Sequence, residues 1–462
     1  MDAPRINRRA LLKLASLTAG TTLLPMKLLA AAQTYRWQNW AGNQTAQPSA
    51  MHYPQNVEQI RALLASSNGP IRCFGGSHSF SPLVPTDGTL ISLEAMNGLL
   101  QHDSDKSTAT FAAGTRLGNA SAAAWDAGLS FSNEPDINLQ SLAGAISTST
   151  HGTGLTLPSQ SAQIKSLRLI SADGQLHDLS SRDGDLFRAA ICSLGCLGVI
   201  SDITFQQQPR YYLREVTRVM DLDKALAVVE QEKDSVRGIE LFAFPHGNTA
   251  IIKTFEETSS TEEILPPDDS NDLLEMVCEV SMRASWLTPT IQRLLGKFIE
   301  DGFKQGPAWK VYGNVRTVRF NEMEYCVPAE DGIATLKQVC ATIRDNNINV
   351  MFPIEFRYVR ADNSMIGMFG QRDGATISVH QYVKQDATPL FNAVEPLLQK
   401  AGGRPHWGKI HTMSADQLKQ AYPELKRFNE IRAMLDPQGR FLNAHMRTIL
   451  GEPSLDKVGQ EK

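Results

Sequence analysis

The spacing of apolar residues predicts alternating helices and strands in the first half of the chain. In residues 54–67 the apolar side chains fall on one helical face, and Asn56 stands where an N-cap is expected. Strands are predicted at 70–74, 89–93 and 109–113, and a further helix at 117–127. Helices and strands of this kind, mixed along the chain, indicate an α+β fold class.

A hairpin completes this first region. Asp173-Gly174 is typical of tight turns and separates two strand-like segments at 161–169 and 175–179. A helix at 185–194 and a strand at 198–205 follow. We therefore expect residues 35–208 to form one α+β unit.

The segment 206–209, Gln-Gln-Gln-Pro, marks a predicted boundary before a second region at residues 209–450. Strands are predicted there at 211–219, 354–359 and 376–382, and helices at 222–232, 273–304, 388–400, 414–420 and 424–435. Residues 256–272 are rich in carboxylates and contain two prolines, which predicts a solvent-exposed loop.

The first 32 residues have the order of a targeting segment. Arg8 and Arg9 precede a weakly apolar run, and residues 29–32, Leu-Ala-Ala-Ala, supply small side chains for cleavage. This order resembles a twin-arginine signal peptide, which implies export of a folded protein to the periplasm. An ordinary secretory leader and a chance arginine pair are the alternatives. Folding in the reducing cytoplasm would disfavour disulfides.

Composition and charge exclude several function classes. Apolar residues make up 42% of the 462 residues, enough for a large core. The net charge of −4 shows no basic excess, so we expect no nucleic-acid partner. After leader removal we expect no stable membrane anchor, because no later stretch is long and apolar enough. The six cysteines lack metal-site spacing and His406 and His411 are five apart, so we predict no metal site.

A glycine-rich segment follows the strand predicted at 70–74. Residues 72–80 read Arg-Cys-Phe-Gly-Gly-Ser-His-Ser-Phe. Glycines let a backbone approach a ligand closely, and successive N–H groups can surround an anion. The segment is not Gly-x-Gly-x-x-Gly, and the chain has no Gly-x-x-x-x-Gly-Lys-Ser/Thr, so Rossmann and P-loop interpretations fail. Taken alone, an ordinary turn is the alternative.

A second candidate segment, residues 142–154, is dense in small and hydroxyl side chains. It reads Leu-Ala-Gly-Ala-Ile-Ser-Thr-Ser-Thr-His-Gly-Thr-Gly. A run with so little bulk makes a poor core but suits a backbone that lies flat against a ligand. A solvent-exposed loop is the alternative.

The third candidate cluster is near the C-terminus. Glu355 and Arg357 alternate onto one face of a predicted strand, and His380 lies on the next strand. His406 and Lys409 follow in Gly-Arg-Pro-His-Trp-Gly-Lys. Such groups can hydrogen-bond a polyol or sugar and polarise a C–H bond beside a hydroxyl. A surface ion pair between the glutamate and the arginine is the alternative.

Taken together, these segments resemble the flavin-dependent sugar-lactone and alditol oxidases, which include D-arabinono-1,4-lactone oxidase and belong to the vanillyl-alcohol-oxidase-type flavoproteins. The resemblance extends over nearly the whole chain after the leader. The segments that carry it are residues 37–42, 76–82, 150–154, 194–200, 321–325, 355–362, 406–409 and 441–443.

The resemblance implies a two-domain fold with FAD as cofactor. It implies an FAD-binding domain of the PCMH type at 35–208 and a substrate or cap domain at 209–450, whose last stretch returns to the flavin. It also implies covalent attachment through a neutral His78, with Lys409 supplying nearby positive charge. The implied cofactor-binding residues are Gly75, Gly76, Ser77, His78, Ser79, Ser141, Gly144, Ser147, His151, Gly152, Gly198, Ile200, His406 and Lys409.

The implied activity is oxidation of a sugar lactone or polyol by hydride transfer from a carbinol C–H bond to the flavin. The implied catalytic residues are Glu355, Arg357, Lys409 and His380. O2 is the expected electron acceptor, and a dehydrogenase that uses a cytochrome or a quinone is the alternative. A noncatalytic flavin- or carbohydrate-binding protein is a third interpretation, which the intact cluster opposes. Cys192 and Cys196 are expected to be core thiols rather than a redox pair.

Overall fold

The computed structural model describes residues 34–267 and 270–453. The predicted leader, residues 1–32, lies outside the described residues. None of the helices within the described ranges combines the length and the apolar character needed to cross a lipid bilayer.

Two larger sheets organise the first region. A parallel sheet has the strand order Ala50–His52, Thr89–Ser92, Ile71–Phe74. An antiparallel sheet has the order Leu176–Ser180, Ile164–Ile170, Val199–Gln206, Thr108–Ala112, Leu99–Asp103. Short pairs join Trp37–Gln38 to Thr45–Ala46, and Leu129–Ser130 to Gln208–Pro209. The helices are Val57–Ser66, Leu117–Asp126, Leu142–Ser147 and Asp185–Ala190, with short 3-10 turns at Ser161–Gln163 and Ser181–Asp183.

The predicted elements of this region are confirmed with two differences. The strand predicted at 161–169 begins only at Ile164, after the 3-10 turn Ser161–Gln163. Helix Val57–Ser66 begins at Asn56, whose side chain accepts a hydrogen bond from the Gln59 amide, as the cap prediction requires. The helix predicted at 185–194 instead ends at Ala190. Leu194 and Gly195 have φ values of 52° and 63°, and this left-handed backbone cannot continue a right-handed helix.

An eight-stranded antiparallel sheet organises the second region. Its strand order is Gly302–Pro307, Tyr212–Asp221, Thr249–Thr258, Gly238–Phe244, Ile354–Val359, Gly374–Tyr382, Phe320–Pro328, Arg404–Pro405. The helices here are Leu222–Glu232, Ser270–Arg283, Thr288–Phe298, Ala308–Tyr312, Gly332–Asp345 and Thr388–Lys400, with 3-10 turns at Ser285–Leu287 and Ala329–Asp331. The central strands of this sheet carry the predicted Glu355 and Arg357.

The prediction of a single helix at 273–304 is wrong. The chain forms helices Ser270–Arg283 and Thr288–Phe298 and then the strand Gly302–Pro307. The backbone of Ala284, with φ −141° and ψ 69°, is not helical, and a proline opens the second helix. The apolar spacing continues across this break, so the pattern alone does not show it.

The C-terminal stretch folds back onto the first region. Helices Ala415–Ala421 and Leu425–Leu435 lead to a turn before helix Ala444–Leu450. The Ile71 amide donates to the Arg440 carbonyl at 2.7 Å. This return places residues 406–409 beside the glycine-rich segment, where the Phe80 amide donates to the Gly408 carbonyl at 2.7 Å.

Residues of both regions contribute to one apolar core. The division into two domains at residue 208 stays a prediction. All six cysteines are free thiols. Cys192 and Cys196 are fully buried in the core, which confirms their interpretation as core thiols.

Candidate active site

One cleft brings together nearly all of the candidate residues. Its empty volume is about 2130 Å³, including its open mouth. The predicted site residues that line it are Gly75, Gly76, Ser77, His78, Ser79, Ser141, Gly144, Ser147, His151, Gly198, Ile200, Glu355, Arg357, His380, His406 and Lys409. Gly152 is the exception: a Cβ there would lie 2.3 Å from the side-chain oxygen of Asn133. Gly152 therefore packs against that asparagine.

The glycine-rich segment presents free amides. Within the described residues, the backbone N–H groups of Gly76, Ser77, His78 and Ser79 donate to no protein acceptor. Ser77 has φ 56°, and its hydroxyl accepts from the indole N–H of Trp37 at 3.1 Å. Successive free amides around a left-handed residue form an anion-binding concavity. This donor set fits the diphosphate of FAD.

Close packing explains the first glycine of this segment. A Cβ on Gly75 would lie 1.9 Å from the Ser141 hydroxyl oxygen. Ser141 in turn caps helix Leu142–Ser147 by accepting from the Gly144 amide at 3.3 Å. Gly75 therefore packs directly against the residue that caps the second candidate segment, and it does not tolerate added bulk.

His78 lies in the cleft as a neutral imidazole. Its ring stacks on Trp40, with centroids 5.4 Å apart and an interplanar angle of 26°. Burial lowers the pKa of His78 to about 4, assisted by the positive charges of Lys409 and Arg116. A neutral, partly enclosed imidazole is the form of histidine that acts as a nucleophile.

Residues 148–153 are buried, which excludes the solvent-loop alternative for that part of the second segment. His151 Nε2 lies 2.9 Å from Oε1 of Glu324, and its Nδ1 lies 2.9 Å from the Gly152 carbonyl oxygen. His406 stands nearby, and its Nδ1 accepts from the Gly408 amide at 3.0 Å. His151, Glu324 and His406 hold their ligand-type atoms within 4.8 Å of one another. The expected absence of a metal stays a prediction.

Arg357 stands at the centre of a buried ionic cluster. Its Nε lies 3.0 Å from Oε1 of Glu240, and its Nη2 lies 3.4 Å from Oδ1 of Asp136. Nη2 also contacts Glu355 on the same strand. Arg316 supports Asp136 from the other side at 3.0 Å. This confirms the ion pair between Glu355 and Arg357 but excludes a surface position for it.

A second group of charges adjoins the first. Lys409 Nζ lies 2.5 Å from Oε2 of Glu322, and His380 Nε2 lies 3.3 Å from Oε1 of the same carboxylate. His380 Nε2 is also 3.8 Å from Oε2 of Glu355. His380 thus connects the two carboxylates, and the predicted catalytic residues form one continuous cluster.

The cluster separates the pKa values of its carboxyl groups. Burial raises the pKa of Glu355, reinforced by Asp136 and opposed by Arg357. Burial would also raise the pKa of Glu322, but Lys409 and His380 outweigh it and hold that pKa well below its usual value. Glu355 therefore binds a proton more readily than a neighbouring carboxylate does, as a catalytic base requires.

Sequence reasoning assigned no role to several residues of this cluster. Glu322 and Glu324 alternate on strand Phe320–Pro328, the same period-two signal that identified Glu355. Asp136 and Arg316 lie outside helices and strands, where no periodicity identifies them. Only the fold brings these residues to Arg357.

Comparison with known proteins agrees with this geometry. The profile of the D-arabinono-1,4-lactone oxidase family matches residues 203–449, and that of an FAD binding domain matches residues 48–180. L-gulono-1,4-lactone dehydrogenase of Mycobacterium tuberculosis is 33% identical over 425 residues, covering 90% of this chain and 99% of that protein. L-gulonolactone oxidase of Bos taurus is 28% identical over 435 residues, which cover 90% of this chain and 98% of that protein.

A solved structure confirms the predicted fold class. Cholesterol oxidase of Brevibacterium sterolicum superposes with a TM-score of 0.76 at 15% identity, covering 94% of this chain and 100% of that chain. At this identity the likeness concerns the fold alone, and it confirms the vanillyl-alcohol-oxidase-type fold. With the family profile, the FAD domain and the buried polar cluster in agreement, the chain belongs to the D-arabinono-1,4-lactone oxidase family and is an FAD-dependent oxidoreductase.

Proposed function

We propose that the protein oxidises a CH–OH group of a sugar lactone or alditol with bound FAD. The observation that carries this proposal is the buried cluster of Arg357, Glu355 and Lys409 in the same cleft as the free amides of the glycine-rich segment. FAD, when bound, supplies the electron acceptor for the substrate hydride. The chain's own residues bind the alcohol, orient it and move its proton.

Arg357 and Lys409 are the groups that polarise the alcohol. Arg357 is a buried cation and Lys409 is mostly buried, and both line the cleft. Both cations are therefore placed to meet substrate oxygens in the cleft. Fixed charges there stabilise the carbonyl character that develops as the hydride leaves, more than they stabilise the bound alcohol.

Glu355 accepts the hydroxyl proton in this proposal. This carboxylate lines the cleft beside Arg357, and burial raises its pKa. His380 Nε2 lies 3.3 Å from Glu322 and 3.8 Å from Glu355, and its N–H helps to fix the positions of both carboxylates.

FAD attachment through His78 is part of the proposal. The imidazole is neutral, lies in the cleft and has Lys409 and Arg116 among the charges that act on it. When FAD is bound, His78 would be the residue that holds it, and the positive charge of Lys409 and Arg116 would stabilise an electron-rich flavin beside the imidazole.

O2 is the proposed electron acceptor, with a cytochrome or quinone as the second candidate. The relative of 33% identity is named a dehydrogenase and that of 28% identity an oxidase, so the family contains both. Aerobic turnover on a panel of aldonolactones, alditols and free sugars, with peroxide recorded, tests both substrate and acceptor. Turnover only with an added artificial acceptor would identify a dehydrogenase, and no flavin reduction by any member of the panel would refute the proposed function.

Export to the periplasm as a folded protein is the proposed location. It is supported by Arg8 and Arg9 before the weakly apolar run and by the small residues at 29–32.

A further inference from the structure

We propose that Glu240 is a positioning residue that fixes the guanidinium of Arg357 through its Nε, so that Arg357 is shared among three carboxylates instead of pairing fully with Glu355. Glu240 belongs to a row of alternating charges that crosses the sheet. The inference rests on the proposed function, because it assigns Arg357 to the substrate and Glu355 to the proton. Glu240 is absent from the cleft lining, so it acts through Arg357.

The register of the sheet fixes this contact. Glu240 and Arg357 are directly opposite each other on strands Gly238–Phe244 and Ile354–Val359, which places both side chains on one face. Glu240 Oε1 lies 3.0 Å from Arg357 Nε, and each of the two side chains is only 9% exposed. An ion pair so enclosed is weakly screened by solvent.

The row of charges continues away from the cleft. Lys253 is directly opposite Glu240 on the next strand. Lys253 Nζ lies 3.2 Å from the Glu215 carboxylate, which also lies 3.1 Å from Lys304 Nζ. Glu240 therefore has Arg357 opposite it on one neighbouring strand and Lys253 opposite it on the other.

Three carboxylates surround one guanidinium. Arg357 contacts Glu240, Glu355 and Asp136. If Glu240 lost its charge, the guanidinium would settle on the remaining carboxylates, and Glu355 would become a weaker base. The electrostatics point the same way, since Glu240 is among the groups that raise the pKa of Glu355.

The test is Glu240→Gln in the FAD-loaded enzyme, with Glu232→Gln as the matched control. Glu232 also pairs with an arginine, Arg218, but the pair is half-buried, and neither residue lines the cleft. Because small misplacements at a reacting centre cost on the order of 10²-fold in rate, we expect kcat to fall by about that factor in Glu240→Gln. Flavin content and melting temperature should stay close to the parent values.

The pH dependence separates positioning from a merely structural role. The charged or titratable groups that face Glu355 are Arg357, Asp136, His380, Glu240, Arg316 and Lys409. Removing the negative charge of Glu240 lowers the pKa of Glu355. The acid limb of the pH profile, which is the range where kcat falls as the pH is lowered, should therefore move to lower pH. Glu240→Asp, which keeps the charge, should leave the limb near its parent position.

A spectroscopic measurement does not depend on turnover. The measurement is NMR of the holoenzyme labelled with ¹⁵N-arginine. The signal of the Arg357 guanidinium is assigned by its loss in Arg357→Lys. We expect this signal to show hindered rotation about the Nε–Cζ bond, and we expect the hindrance to be lost in Glu240→Gln. An unchanged acid limb together with unchanged guanidinium rotation would overturn the proposal. If Glu240→Gln does not fold, Glu240→Asp is used in its place. In Glu240→Asp we expect kcat to fall by less than about 10²-fold and the Arg357 guanidinium to rotate faster than in the parent enzyme. Hindered rotation in a protein that oxidises no member of the sugar panel would refute the proposed function and leave the positioning contact standing.

Discussion

The ammonium of Lys409 lies 2.5 Å from Oε2 of Glu322, so a residue of the C-terminal stretch is tied to strand Phe320–Pro328 of the large sheet. The same ammonium lies 5.1 Å from the ring centroid of Phe80, at the end of the glycine-rich segment. Lys409 therefore links the cofactor segment to the substrate cluster.

Replacing Lys409 should affect both chemistry and cofactor. In Lys409→Ala we expect flavin reduction to slow by about 10²–10³-fold, since one stabilising charge is lost from a buried site. Flavin content should also fall, because the side chain packs over Phe80. Stopped-flow absorbance and the flavin-to-protein ratio measure these effects. Lys419→Ala, at an exposed pair with Asp416, is the control. If flavin reduction in Lys409→Ala were as fast as in the parent enzyme, Lys409 would have no role in the chemical step.

Arg357 should be needed for chemistry and not for cofactor retention. We expect Arg357→Ala to slow flavin reduction at saturating substrate by about 10²–10³-fold. Arg357→Lys should restore only part of the rate, because the planar fork is lost. Flavin content should persist in both variants. An unchanged reduction rate in Arg357→Ala would show that Arg357 serves only the structural ion pair with Glu355.

Much of the site was predictable because it lies on strands. Period-two alternation places Glu355 and Arg357 on one face, and the same rule applied to Phe320–Pro328 would have found Glu322 and Glu324. Asp136 has no such signal, since its position depends on contacts with Arg316 and Arg357, which are remote in sequence.

The order of strands in the sheets was not predictable from local patterns. Arg72 shows why, because its guanidinium donates to the carbonyls of Leu83, Leu194 and Phe441 at 2.6–2.7 Å. These partners are up to 369 residues away in sequence. Periodicity reports which face of an element is buried and carries no information about which distant carbonyl that face meets.

His78 should hold the flavin covalently. We expect flavin to remain with the denatured polypeptide after acid precipitation, and His78→Ala to release it. The lowered pKa keeps the imidazole neutral, and therefore nucleophilic, at neutral pH. Absorbance of the precipitate and the supernatant measures the distribution. Flavin in the supernatant of the unmodified protein would refute the linkage and leave FAD binding itself intact.

The paired arginines of the leader should direct export. Changing Arg8 and Arg9 together to lysine should leave the precursor in the cytoplasm, because the twin-arginine route requires the pair. Fractionation followed by immunoblotting measures the distribution, and Arg5→Lys is a control outside the pair. Equal periplasmic amounts would indicate the general secretory route.

The acid limb of the pH profile should report the ionisation of Glu355. Burial and Asp136 raise the pKa of this carboxyl, while Arg357 opposes the rise. The proposed base must be ionised, so activity should be lost as pH falls through the raised pKa, above the ordinary value for glutamate. Removing the opposing cation in Arg357→Ala should raise the pKa further and move the residual acid limb to higher pH. Arg344→Ala, a half-exposed side chain on helix Gly332–Asp345, should leave the pH profile unchanged. The pH dependence of kcat checks this, and a limb that moves to lower pH in Arg357→Ala would assign the ionisation to another group.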